Sequence, residues 1–116
     1  ELPNGMALSY PNLMYDNGEF IYKTQRETIR THGPRVTENV IQALARIVIT
    51  DQILDIQSMP QVDIVMQIHD EIVAIGSESD SDKTMEQIIG IMRTPPSWCS
   101  DIPLDAEGGV SQVYDK

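Results

Sequence analysis

Apolar residues recur along the chain first in short bursts, then at helical spacing, then at every second position. Met6 to Tyr10 and Phe20 to Thr24 read as strands. They lie beside Asn4-Gly5 and Asn17-Gly18, and Asn-Gly is a strong short hairpin signal. The first quarter is therefore expected to be a small β meander, broken at Thr31-His32-Gly33-Pro34. From about Val36 to Gln57 the period becomes helical. Val40, Leu44, Ile47 and Leu54 form a stripe, which Val36, Ile41, Val48 and Ile53 widen. So broad an apolar surface predicts a helix buried against a sheet. Ser58-Met59-Pro60 ends it, because proline disfavours helix in the residue before it.

Val62 to Ile68 then alternates. Val62, Ile64, Met66 and Ile68 fall on one side of a predicted strand, with Asp63, Val65 and Gln67 on the other. His69-Asp70-Glu71 interrupts the run, and Ile72 to Gly76 resumes it as a second strand. The polar stretch Ser77 to Ser81 can cap a helix, with Asp80 and Asp82 favourable near its positive end. Met85, Ile88, Ile89 and Met92 are the expected buried stripe of that helix, which Thr94-Pro95-Pro96 closes. A last strand is expected around Ile102 to Ala106. Strands, long helix, hairpin, helix, strand is the order of an α+β domain. One antiparallel sheet would carry a long and a shorter helix on one face, in a single domain over residues 1–116.

Composition narrows this picture. A hydrophobic share of 41% with 5% aromatics implies an aliphatic core. No apolar run approaches the roughly 20 residues that a membrane span needs, so no membrane partner is expected. The opening Glu1-Leu2-Pro3 lacks both a secretion signal and an initiator Met, which suggests a piece of something longer. The lone Cys99 rules out an internal disulfide and suits a reducing, cytoplasmic setting. The net charge of −10 argues against nucleic-acid binding by the chain as a whole. Its distribution is uneven, however. Lys23, Arg26, Arg30, Arg35 and Arg46 face only Glu27 and Glu38 within their segment, whereas the remainder is acidic. The basic segment could meet a polyanion and the acidic remainder a cation, or both could simply be solvated surface.

The sharpest chemistry lies in Gln67-Ile68-His69-Asp70-Glu71-Ile72-Val73. Paired apolar strands would hold three polar residues rigidly at a solvent-facing tip. Adjacent carboxylates repel, and a divalent cation removes that repulsion. Hard ions such as Mg²⁺ take carboxylate oxygens together with substrate phosphates. Taken alone, a tripeptide of this kind is more readily a polar hairpin turn. His69 could be a metal ligand or a hydrogen-bonding neighbour of the carboxylates.

The segment resembles the His-Asp-Glu hairpin in the palm of family A (DNA polymerase I-like) polymerases, and further stretches resemble phage members in the same order. Leu2-Pro3-Asn4-Gly5-Met6 through Ser9-Tyr10-Pro11-Asn12-Leu13 is similar to their first strand pair. Thr37-Glu38-Asn39-Val40-Ile41-Gln42-Ala43-Leu44-Ala45-Arg46 is similar to a palm helix, and Trp98 through Pro103-Leu104 to Gly108-Gly109 to their ending. The resemblance implies a C-terminal palm fragment of a DNA-directed DNA polymerase, working by two-metal nucleotidyl transfer with two Mg²⁺ ions. Asp70 would be a direct metal ligand, Glu71 would support the site, and His69 would touch the primer end. Gln42 would reach the minor groove, where one donor can check pair geometry without reading sequence. Arg46 would serve the same nucleic-acid interface or be an exposed helix charge. Asn39 is left to helix-surface or palm hydrogen bonding.

Departures limit what the chain can do. Ile47 stands where phage relatives usually have Asp, and Met6 where they have Arg. The upstream palm strand with its second metal-binding Asp is missing, as is the fingers helix that holds the dNTP. The fragment is therefore expected to be inactive alone. Its partners would be primer-template DNA, dNTP and the rest of the polymerase chain, with self-association through exposed apolar patches. The alternative is a free-standing acidic binding module on a palm scaffold. A nucleotidyl cyclase or another palm-like enzyme fits the single tip Asp and the Gln42 helix less well.

Overall fold

The computed structural model describes residues 1–114 and has the expected α+β composition, arranged as two compact units, 1–47 and 48–116. The strands form two separate antiparallel sheets, not the one sheet the element order suggested.

The first unit holds the meander β1 (Met14–Asp16), β2 (Glu19–Lys23) and β3 (Thr28–Thr31), paired in that order. Asn17 (φ 48°) and Gly18 (φ 79°) make the turn between β1 and β2, so the Asn-Gly signal is met by a left-handed pair. At the other signal Gly5 is also left-handed (φ 84°), and its amide donates to the Leu2 carbonyl at 2.9 Å. No strand follows it, however. Met6 to Tyr10 is irregular, because this segment has no neighbouring strand to take its amides. The cross-strand register puts Tyr15, Phe20, Tyr22, Ile29 and Thr31 on one face. That face is knit by edge-on rings, Tyr15 with Phe20 (centroids 5.3 Å) and Tyr22 with Tyr10 (5.1 Å). The opposite face carries Asp16, Glu19 and Arg30, which form exposed ion pairs at 3.6 and 3.1 Å.

The long helix α1 (Gly33–Gln57) begins in the first unit and ends in the second. Its buried positions match the expected stripe at Ile47 and otherwise depart from it. Ile47, Ile49, Gln52 and Ile56 are buried, whereas Val40, Ile41 and Leu54 are exposed, Leu54 by 64%. Ile47-Val48-Ile49 is a contiguous apolar run, so spacing alone could not choose the phase. Ile49, Gln52 and Ile56 recur at helical intervals, and the polar member is bonded (Gln52 Nε2 to the Met92 carbonyl, 2.9 Å).

In the second unit β4 (Val62–Ile68) and β5 (Glu71–Gly76) form a hairpin, followed by α2 (Ser81–Arg93) after a short 3₁₀ turn. Gln57 Oε1 accepts the Ile64 amide at 3.0 Å, tying the last residue of α1 to the hairpin. Asp82 in the first turn and Arg93 in the last complement the dipole of α2. The strand expected around Ile102 to Ala106 is absent, since no strand lies beside it to share a ladder. That segment is fastened by Arg93, whose Nε donates to Asp105 Oδ1 and Nη2 to the Ala106 carbonyl, both at 2.8 Å. No helix among the described residues is long and apolar enough to cross a membrane.

Candidate functional site

Ile68 pairs with Glu71, so the β4–β5 connection is the two residues His69 and Asp70. His69 has φ 53°, a left-handed conformation that closes so short a turn and that His tolerates better than branched residues. The Gln67 side-chain amide donates to the His69 carbonyl and braces the tip from within the hairpin. Glu71 is therefore the first residue of β5, not part of the loop.

One feature of the hairpin escaped the alternation. The register shifts between Ile64 and Met66, leaving Val65 as an extra residue. Beyond that bulge the faces exchange. Val62 and Ile64 share a face with Gln67, Ile72 and Ala74, whereas Met66 and Ile68 lie with Asp63, Glu71, Val73 and Ile75. The four apolar residues of β4 thus do not form one stripe. The sequence carries a local mark of it, since Ile64-Val65-Met66 puts three apolar residues in a row where strict alternation would place a polar one.

Electrostatically the tip is asymmetric. Asp70 is exposed, and its carboxylate has no hydrogen-bond or ion-pair partner among the described residues. Glu71 is half-buried and accepts a hydrogen bond from Tyr114 Oη at 3.3 Å. Asp70 is left available to a ligand while Glu71 is held.

Gln42 and Arg46 lie one turn apart on α1, both exposed, with Glu38 one turn earlier. Gln42 Nε2 donates to Glu38 Oε1 at 3.1 Å, an exposed contact that an incoming acceptor can replace. Asn39 instead has a structural bond within the first unit, Nδ2 to Tyr10 Oη at 3.1 Å. Ile47, where the phage pattern has Asp, is 6% exposed, and an unpaired carboxylate would be costly there.

Carboxylate oxygens at an exposed, braced tip are the donor chemistry Mg²⁺ prefers. Their number falls short of a complete site. Among the described residues no group of three or more His, Cys, Asp or Glu side chains could hold a metal.

A carboxylate-bearing hairpin tip on an α+β scaffold is the class of site present. Across its whole length the chain is similar to part of the DNA polymerase of Bacillus phage SP02, at 31% identity over 129 aligned positions that take in 19% of that protein. The chain thus spans about a fifth of the length of this relative. No protein-family model matches the chain, and no solved structure does.

Proposed function

We propose that this chain is a C-terminal palm segment of a family A-type DNA polymerase and supplies Asp70 to a two-metal nucleotidyl-transfer site. The observation that carries the reading is the two-residue tip between paired strands, which presents an unpartnered, exposed carboxylate. The full-length similarity to a phage DNA polymerase supports the same reading. When bound, Mg²⁺ would neutralise charge on phosphoryl oxygens and acidify the primer hydroxyl.

The chain's own residues have simpler tasks. Asp70 offers oxygen ligands, Glu71 adds negative charge beside it, and His69 stands at the tip where the primer end would pass. Gln42 offers a side-chain amide to minor-groove acceptors, which every base pair presents. Arg46 offers a cation to the phosphate backbone. The rest of the polymerase chain would contribute the remaining carboxylate and the dNTP-binding surface. One free Asp does not fix two Mg²⁺ ions, so the chain alone is inactive.

The test is a chimera in which this chain replaces the matching segment of the phage SP02 polymerase, assayed for incorporation of labelled nucleotide on a primed template. Activity of the chimera, with a loss of about a thousandfold for Asp70→Asn, is expected, since metal ligation supplies several kcal/mol of charge stabilisation. An Asp70→Asn chimera as active as its parent would overturn the reading. Incorporation by the isolated chain would overturn its inactivity.

A further inference from the structure

The chain has four asparagines, and only Asn4 and Asn17 are followed by glycine, which leaves the next amide unshielded by a side chain. Asn12 and Asn39 precede Leu13 and Val40, and Asn39 also gives its side-chain amide to Tyr10 Oη at 3.1 Å. The two Asn-Gly pairs are alike in sequence, and both are exposed. Hydrogen bonding sets them apart. At the first, Asn4 Oδ1 accepts the Met6 amide at 3.1 Å, and the Gly5 amide donates to the Leu2 carbonyl at 2.9 Å. At the second, neither the Asn17 side chain nor the Gly18 amide has a partner among the described residues. Asn17 and Gly18 stand alone at the end of the β1–β2 hairpin, in the left-handed conformation that its two-residue turn requires.

We infer that Asn17 is a site of spontaneous deamidation, the one Asn-Gly pair that the folded chain leaves reactive. Hydroxide takes the proton of the Gly18 amide, and that nitrogen attacks the Asn17 side-chain carbonyl carbon. The new Cγ–N bond closes a succinimide ring, and the side-chain nitrogen leaves as ammonia. Water then opens the ring. Cleavage between the Gly18 nitrogen and Cγ leaves an ordinary aspartate at position 17. Cleavage on the main-chain side leaves an isoaspartyl link, in which the backbone runs through the former side chain. The first step removes an amide proton, as hydrogen exchange does, and a bonded amide gives up its proton only after local opening. Gly5 is bonded in this way and Gly18 is not. The two products differ in effect. Aspartate accepts left-handed backbone much as asparagine does, so the turn survives. It gains a carboxylate beside Asp16 and Glu19, which already share Arg30. An isoaspartyl link adds a carbon to the main chain, which a two-residue turn cannot hold without disturbing the Asp16–Glu19 register. Either product makes the first unit, where five Lys or Arg balance five Asp or Glu, net negative. The basic segment then attracts a polyanion less.

The experiment incubates the whole chain at mildly alkaline pH and follows both Asn-Gly peptides by proteolytic mapping and mass spectrometry, with a parallel sample in guanidinium. In the folded chain Asn17 should convert roughly tenfold faster than Asn4, because two hydrogen bonds must open before Asn4 can react. In guanidinium the two rates should converge, since the sequence around the reacting atoms is the same. The isoaspartyl product, separated by chromatography, should exchange its Met14–Asp16 amides faster than an Asn17→Asp chain does. Asn4 reacting as fast as Asn17 in the folded chain would overturn the inference. So would an unreactive Asn17 in the folded chain beside a reactive one in guanidinium. A rate difference that persists in guanidinium would assign the selectivity to sequence, and the structural argument would fail. Equal amide exchange in the isoaspartyl and Asn17→Asp chains would sink the predicted loss of register.

Discussion

Gln52, in the second half of the long helix, donates its side-chain amide to the main-chain oxygen of Met92 at the end of α2, 2.9 Å away. That carbonyl belongs to the last turn of a helix, where no backbone amide is left to serve it. One buried side chain therefore closes the end of α2.

Gln52→Ala should lower unfolding free energy by about 1–3 kcal/mol, because it leaves a poorly solvated acceptor without a donor. Gln52→Leu should not restore the loss, although it refills the volume. Urea unfolding followed by circular dichroism measures both. Equal stability of Gln52→Leu and the parent would show that the bond contributes nothing.

Burial along α1 predicts opposite outcomes for two nearby residues. Ile56 is 0% exposed, and Ile56→Ala should cost about 2–5 kcal/mol from lost transfer energy and a cavity. Leu54 is largely exposed, and Leu54→Ala should stay within about 0.5 kcal/mol of the parent. Thermal or urea denaturation of the pair checks which phase of the helix is inside.

The tip turn depends on a left-handed His69. A branched residue is disfavoured there, so His69→Val should destabilise the chain by about 1–3 kcal/mol. His69→Gly, which adopts that conformation freely, should be close to neutral. Similar losses in the two variants would mean that the imidazole, and not the backbone, secures the turn.

Asp70→Asn should change folding stability by less than about 0.5 kcal/mol, since its carboxylate has no partner among the described residues to lose. A substantial fall in the urea midpoint would assign Asp70 a structural duty.

Arg30 bridges Asp16 and Glu19 on the exposed face of the meander. Arg30→Ala should cost no more than about 1 kcal/mol, and the difference should shrink in 1 M salt, where screening acts within about 3 Å. A larger, salt-insensitive loss would point to packing by the arginine stem.

Local patterns carried much of the outline. Asn17-Gly18 marked a hairpin because only residues that accept left-handed backbone can close it. Pro60 marked the end of α1, and the period-two run marked β4 over the observed Val62–Ile68. His69 and Asp70 were legible as a turn because a polar break between two apolar runs favours one, whereas Glu71 proved to be the first residue of β5. β1 and β3 were not legible. Their residues, Met14-Tyr15-Asp16 and Thr28 to Thr31, are short and mixed, and become strands through pairing with β2.

By itself, then, the sequence determined the α+β class, the long helix, the hairpin and the His69-Asp70 turn at its tip, since each follows from backbone chemistry acting over a few neighbours. Tertiary structure alone decided the phase of α1 and the reach of Tyr114 to Glu71. These depend on which distant groups meet, Gln52 with Met92 or a tail phenol with a tip carboxylate, and no local periodicity encodes a partner some 40 residues away.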